Sequence, residues 1–213
     1  MTKELYIFSG LGADERVFQR LDFSGFPTTF VKWVIPQASE TIEHYATRLL
    51  DQITTTKPTL IGLSFGGLIA VEVAKQIDTE KVILIASAKT KDEVPFYYRF
   101  AGQLGLHKLL PTRLLKGSNV ITNWFFGTYS TFDKQLLKQI LIDTDLTFLN
   151  WAIDKVARWT NQTQTKNIFH IHGTSDRILP IKFVNCNSTV KNGGHLMTIN
   201  KADELNNILR QQL

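Results

Sequence analysis

The six residues Gly62-Leu63-Ser64-Phe65-Gly66-Gly67 stand between an apolar, β-branched run and an apolar helical run, and they constrain the fold more than any other stretch. A strand that passes directly into a helix must turn sharply within a residue or two. Small neighbours at Gly62 and Gly66 let the chain pass closely there, and Ser64 is held strained and facing outward. A Gly-x-Ser-x-Gly string arises by chance on the order of 0.1 times in a chain of this length. Its position between strand and helix therefore carries more weight than its letters.

The rest of the chain repeats the same alternation. Residues 5–8, 29–34, 59–63, 81–86 and 166–171 are short, apolar and rich in β-branched side chains, as buried parallel strands are. Between them Ile42, Tyr45, Ala46, Leu49, Leu50 and Ile53 form one apolar stripe at helical spacing. Residues 67–77 suit a buried helix and 203–213 an amphipathic one. Strand and helix in turn imply crossovers, and hence an α/β fold with a mostly parallel central sheet flanked by helices.

One region breaks the rhythm. Residues 88–159 show helical patterns without a convincing strand, and they hold 12 of the chain's 23 aromatic side chains. Gly102, Gly105, Pro111, Gly117 and Gly127 cut the region into short pieces. The expected organisation is a core of residues 1–87 and 160–213 with a helical cap inserted at 88–159. Most of the cap's aromatics are expected to hold it onto the sheet.

A serine hydroxyl is a poor nucleophile until it is exposed, oriented and given a base. Five histidines exist. His44 lies in a helical pattern, His107 in the cap, and His170 and His172 alternate along a strand. His195 alone sits in a glycine-rich loop, Asn192-Gly193-Gly194-His195, ahead of the last helix, from where it can reach the elbow as general base. Asp176, in a turn just past a strand end, is the candidate for the carboxylate that orients the imidazole. Asp92 is the weaker alternative. The order Ser64, Asp176, His195 is the one expected when the serine occupies a strand-to-helix elbow. Glycines in Ser9-Gly10-Leu11-Gly12-Ala13 allow close backbone approach after the first strand, so the N–H groups of Leu11 and Phe65 are the candidate oxyanion donors. A phosphate-cradling loop is disfavoured there, because no Lys-Ser/Thr follows.

Taken together these residues resemble the α/β-hydrolase superfamily along nearly the whole chain outside the cap. By that resemblance Ser64 matches the nucleophile and Asp176 the acid in a Gly-x-x-Asp-x-x-x-Pro segment. His195 matches the base in a Gly-Gly-His loop, and Leu11 the oxyanion residue after the first strand. Three departures stand out. Ser9-Gly10 replaces the common His-Gly, and the chain begins at what would be the third strand, so the N-terminal hairpin is reduced. Only 18 residues separate Asp176 from His195, which implies a lost helix and a strand near 187–190.

The implied activity is hydrolysis of an ester-type bond, as a carboxylesterase or thioesterase of small to medium acyl groups, without metal or organic cofactor. Two other classes share the scaffold: a lyase or C–C bond hydrolase acting on an anionic metabolite, and a non-catalytic ligand-binding protein. The net charge of +5 is concentrated between Lys89 and Lys116, which reads as a solvated helical face or as an electropositive mouth for anionic substrates. No nucleic-acid module accompanies it. No apolar run is long enough to span a bilayer. The N-terminus lacks a signal-peptide pattern and Cys186 is the single cysteine, so a cytoplasmic protein acting on a small molecule is expected, with no membrane partner and an open oligomeric state.

Overall fold

The computed structural model describes residues 3–106, 119–163 and 165–213. Six strands form one sheet in the order β2-β1-β3-β4-β5-β6, with every neighbouring pair parallel. They are β1 (Leu5–Phe8), β2 (Thr28–Phe30), β3 (Thr59–Leu63), β4 (Lys81–Ile85), β5 (Ile168–Gly173) and β6 (Ser188–Val190). Three helices pack on the sheet: α1 (Ile42–Leu49), α2 (Phe65–Ala74) and, at the C-terminal end, α8 (Ala202–Gln212). Before α8 comes a single turn, α7 (Met197–Asn200). Between β4 and β5 lie α3 (Phe96–Gln103), α4 (Val120–Phe126), α5 (Thr131–Asp143) and α6 (Leu146–Ala157).

Side chains alternate across the pleat, so each strand feeds two cores. Leu5, Ile7, Ile61, Leu63, Ile83 and Ile85 face α8 on one side. Tyr6, Phe8, Leu60, Val82 and Leu84 meet α1 and α2 on the other. The helices between β4 and β5 join both cores: α5 contributes Leu137, Ile140 and Leu141 to the first, and α6 contributes Phe148 and Ala152 to the second. Local signals start these helices. Ser130 and Asp133 form a reciprocal capping box on α5, and Asp145 accepts the Phe148 N–H at 2.8 Å to open α6.

Several boundaries differ from expectation, each for a visible reason. β2 ends at Phe30 rather than residue 34, because the backbone beyond Val31 bonds to side chains. The Lys32 N–H and carbonyl pair with the Gln52 amide, and those of Val34 with the Tyr45 hydroxyl. The stripe of the first helix breaks at Leu49 into a tight turn, Leu50–Gln52. β5 starts two residues late, since Asn167 takes a left-handed φ of 58°, and runs on to Gly173. In keeping with expectation, no α-helix lies between Asp176 and His195, where the elements are a single tight helical turn, Ile181–Phe183, and β6. The aromatics of the insertion also depart from expectation. Seven of the twelve (Phe96, Tyr97, Phe100, Trp124, Phe125, Tyr129 and Phe132) are exposed, so most do not serve as anchors to the sheet.

The strand order reverses between β1 and β3. Loops leaving the carboxyl ends of these two strands diverge to opposite faces and open a crevice, the usual ligand position of an open parallel sheet. The Ser9–Ala13 segment follows β1, and Ser64 follows β3.

Candidate active site

The elbow is built by exclusion. Ser64 takes φ 53° and ψ −122°, a conformation that costs a non-glycine residue about 1–3 kcal/mol. Three hydrogen bonds hold it: Ser64 N–H to Ile85 O at 2.9 Å, Gly67 N–H to Ser64 O at 2.9 Å, and the Ser87 hydroxyl to Ser64 O at 2.7 Å. A Cβ on Gly62 would overlap the backbone of Gly67, and one on Gly66 would strike the carbonyls of Phe8 and Ser9. Glycine at both positions lets β1, β3 and α2 converge on the serine.

His195 and Asp176 meet Ser64 there. His195 Nε2 lies 2.7 Å from Ser64 Oγ, and its Nδ1 lies 2.8 Å from Asp176 Oδ2. The imidazole and the carboxylate are both buried, while Ser64 keeps partial exposure. The other carboxylate oxygen of Asp176 accepts the N–H groups of Ile178 and Leu179, each at 2.9 Å. Burial opposes ionisation of Asp176, yet the charge and hydrogen bond of His195 and the Leu179 N–H hold its carboxyl below the usual range. The loop carrying His195 is tied down on both sides. Ser175 N–H donates to Gly193 O at 2.9 Å, and Leu196 N–H to Phe126 O of α4 at 3.1 Å.

The Gly10–Ala13 segment is a β-turn closed by Ala13 N–H to Gly10 O at 3.0 Å. Gly12 has φ 69° and Leu11 keeps a negative φ, which makes it a type II turn with its glycine at the required third position. Ser9 locks the entry by donating its hydroxyl to Ala13 O at 2.5 Å. A Cβ on Gly10 would sit 3.6 Å from Ser64 Cβ, so the turn borders the serine directly. Phe65, the first residue of α2, has no acceptor within its own helix for its N–H. Next to the turn runs a groove of about 200 Å³ lined by Gly12, Ala13, Trp33, Thr144 and Phe148, among others.

The remaining candidates fall elsewhere. Asp92 is exposed and paired with Arg99 at 3.2 Å. His44 is bonded to Glu40 on the outer side of α1. His107 lies outside the described residues, as do Lys108, Arg113 and Lys116 of the basic stretch. Within its described part, Lys89 donates to the Asn185 carbonyl at 2.5 Å and Arg99 holds Asp92, so these two charges serve local contacts. Sequence reasoning did not single out Ser87 or Thr144, which reach the site through tertiary contacts, or Leu179, whose N–H bonds Asp176 from three residues along the same turn. Among the described residues no helix is long and apolar enough to cross a membrane.

No protein-family model and no curated protein sequence matches this chain. Solved structures do. An esterase from Thermogutta terrifontis, solved with malate bound, superposes with a TM-score of 0.72 at 16% identity, covering 99% of this chain and 90% of that one. The esterase EaEST from Exiguobacterium antarcticum gives 0.67 at 16% identity, over 99% and 91%. Both likenesses run over nearly the whole chain. The chain has the α/β-hydrolase fold. Another α/β-hydrolase structure, Est816, described as an N-acyl homoserine lactone degrading enzyme, matches at 0.71 with 13% identity over 100% and 94%. What these structures share with the chain is the α/β-hydrolase architecture.

Proposed function

We propose that the protein is a serine hydrolase that cleaves ester-type bonds, carboxylic esters or thioesters, of small to medium acyl groups through an acyl-enzyme. The observation that carries this reading is the unbroken hydrogen-bonded line from Ser64 Oγ through His195 to Asp176 at the crevice where the strand order reverses. An ionised carboxylate only accepts, so His195 Nδ1 is the donor to Asp176 and Nε2 of the neutral ring keeps its lone pair for the serine proton.

The chemistry follows from that tautomer. Ser64 Oγ bonds to the acyl carbon as its proton passes to His195 Nε2, and the carbonyl electron pair moves onto oxygen. The Leu11 and Phe65 N–H groups receive this oxyanion, with the start of α2 adding its positive dipole end. When the tetrahedral species collapses, the bond to the leaving oxygen or sulfur breaks and that atom takes the proton from Nε2. Water then attacks the acyl-serine, gives its proton to Nε2, and the acid departs as Ser64 is re-protonated. Every proton moves through one imidazole. A lactone is a cyclic ester, so the same steps open it with the alcohol still tethered to the acid.

Residues 88–159 act in this proposal as a cap over a core of 1–87 and 160–213. The end of α4 supports it: the Phe126 ring stands 5.9 Å from the His195 ring, and Asn200 donates to Gly127 O at 2.7 Å. In this proposal the groove of about 200 Å³ beside Gly12, in the turn that borders Ser64, receives the acyl group and sets its short to medium length. The test is a fluorophosphonate probe together with p-nitrophenyl esters of graded chain length. Labelling and turnover that vanish in Ser64→Ala are expected. A wild-type protein that is neither labelled nor able to release p-nitrophenol from any ester overturns the proposal, and faster hydrolysis of emulsified long-chain triglyceride overturns its size limit.

A further inference from the structure

Behind Asp176 lies a pair of imidazoles that the reaction above leaves unused. His170 and His172 are two residues apart on β5, so their rings share one face of the sheet, and both are fully buried. His172 Nε2 lies 2.7 Å from the carbonyl oxygen of Leu179. A carbonyl only accepts, so that nitrogen carries the proton. The same N–H stands 3.6 Å from Asp176 Oδ2. On its other side, His172 Nδ1 is 3.3 Å from His170 Nε2.

Burial keeps the rings neutral. It drives His170 well below the ordinary 6.5, with His172 and Lys89 acting in the same direction, and in His172 it outweighs the opposing pull of Asp176 and the Leu179 carbonyl. A neutral His172 with its proton on Nε2 donates to Leu179 O and leaves Nδ1 as an acceptor facing His170 Nε2 at 3.3 Å. Leu179 closes the circuit, because its own N–H holds Asp176 Oδ1. Pro180 follows and disfavours helical backbone at Leu179, which helps fix the direction of that carbonyl. Among the described residues no group of three or more His, Cys, Asp and Glu could hold a metal ion.

We propose that His172 is a positioning residue for Asp176, its Nε2–H anchoring the acid turn through the Leu179 carbonyl and facing the carboxylate oxygen that His195 uses. The proposal rests on the serine-hydrolase reading for its kinetic consequence. The groups that surround His172 are His170 on its own strand, Asp176 beyond it, His195 from the loop after β6, and Glu93 from the turn before α3. Lys89 acts on His170, and Tyr97 and Tyr98 of α3 sense Asp176. With the His172 N–H removed, the carboxylate has one dipole fewer and favours an imidazolium at His195 more strongly. The base is then protonated at higher pH, and the acid limb of kcat/KM moves upward.

Two measurements test this. In wild-type protein labelled with 15N, multiple-bond NMR correlations at about pH 7.5 should show His172 neutral with the proton on Nε2. A proton on Nδ1 overturns the proposal. This readout needs no turnover, so a protein that hydrolyses no ester yet shows the expected tautomer sinks the hydrolase reading alone. In kinetics on p-nitrophenyl butyrate, His172→Leu should lower kcat about tenfold with little change in KM, and shift the acid limb upward. His172→Gln, which returns a donor of similar reach, should bring the limb back. If the leucine variant does not fold, His172→Asn, whose amide is too short to reach Leu179 O, replaces it in the comparison. A folded donor-less variant with an unmoved limb, or a glutamine variant no better than it, overturns the proposal.

Discussion

Thr144, the residue that ends α5, donates its hydroxyl to the carbonyl of Gly12 at 3.0 Å and so ties the inserted helices to the turn that follows β1. Ile140 O lies 2.7 Å from the same hydroxyl, so one proton is shared between the helix and the turn. A Cβ on Gly12 would run into the Thr144 side chain, so the two are in contact as well as bonded. Thr144→Val keeps the shape and deletes the bond. A net hydrogen bond of about 1 kcal/mol that steadies the turn carrying Leu11 corresponds to roughly a fivefold fall in kcat. Steady-state kinetics on p-nitrophenyl butyrate will show it. An unchanged kcat would mean that Ser9 and the Gly10–Ala13 backbone bond hold the turn unaided.

The carboxylate of Asp176 admits a sharper test than its deletion. In Asp176→Asn the shape survives, but the amide nitrogen can face His195 Nδ1 as a donor while the amide oxygen takes the Ile178 and Leu179 N–H groups. Nδ1 must then accept, the proton moves to Nε2, and Nε2 no longer accepts from Ser64. The expected loss in kcat is about 10⁴-fold with an intact fold. Circular dichroism and ester kinetics separate this from unfolding, and a loss under about tenfold would show that tautomer control is not what Asp176 supplies.

Gly66→Ala addresses the elbow through packing. The added methyl would meet the Phe8 and Ser9 carbonyls, which are backbone and have no rotamer to retreat into. Overpacking of this kind costs about 1–3 kcal/mol, and here it also pushes β1 away from Ser64. Urea denaturation should register the first effect and fluorophosphonate labelling the second. A variant with wild-type stability and labelling rate would mean that the close approach of β1 to α2 is not essential.

How legible these features were in the sequence depends on the range of the forces behind them. The elbow was readable because a sharp turn demands small residues at fixed offsets, and β1 and β3 because buried parallel strands are apolar runs between breakers. The line from Ser64 to His195 to Asp176 could be anticipated from residue type and chain order, although its distances could not. What escaped depends on partners remote in the chain. Residues 31–34 look like a strand by composition, yet Gln52 and Tyr45 take their backbone groups. Ser87 and Thr144 are small polar residues whose bonds to Ser64 O and Gly12 O have no local sequence mark. The alternation of His170 and His172 was visible, but the bond from His172 to Leu179 O required the turn to fold back. Seven exposed aromatics in the insertion carried no sequence mark that distinguished them from the buried Phe148 and Trp159.

The buried imidazoles also set a stability profile. His170 and His172 are depressed below the ordinary histidine value of 6.5, in both cases chiefly by burial. For a base whose folded-state pKa is lowered, the unfolded chain binds the extra proton first as pH falls through 6.5. Unfolding is therefore favoured progressively below that point, and stability rises with pH across the same window. Each histidine that stays neutral in the fold contributes a slope approaching about 1.4 kcal/mol per pH unit. Asp176 acts in a lower window: its carboxyl is held below 3.8 in the fold, so its contribution is present above that value and is lost in stronger acid. Urea unfolding between about pH 7.5 and about pH 5 should thus show a marked loss of stability, and His170→Asn should flatten the slope even if it lowers the starting value. A pH-independent midpoint across this range would mean that the two rings are protonated in the fold, which their burial and the 3.3 Å contact between them oppose.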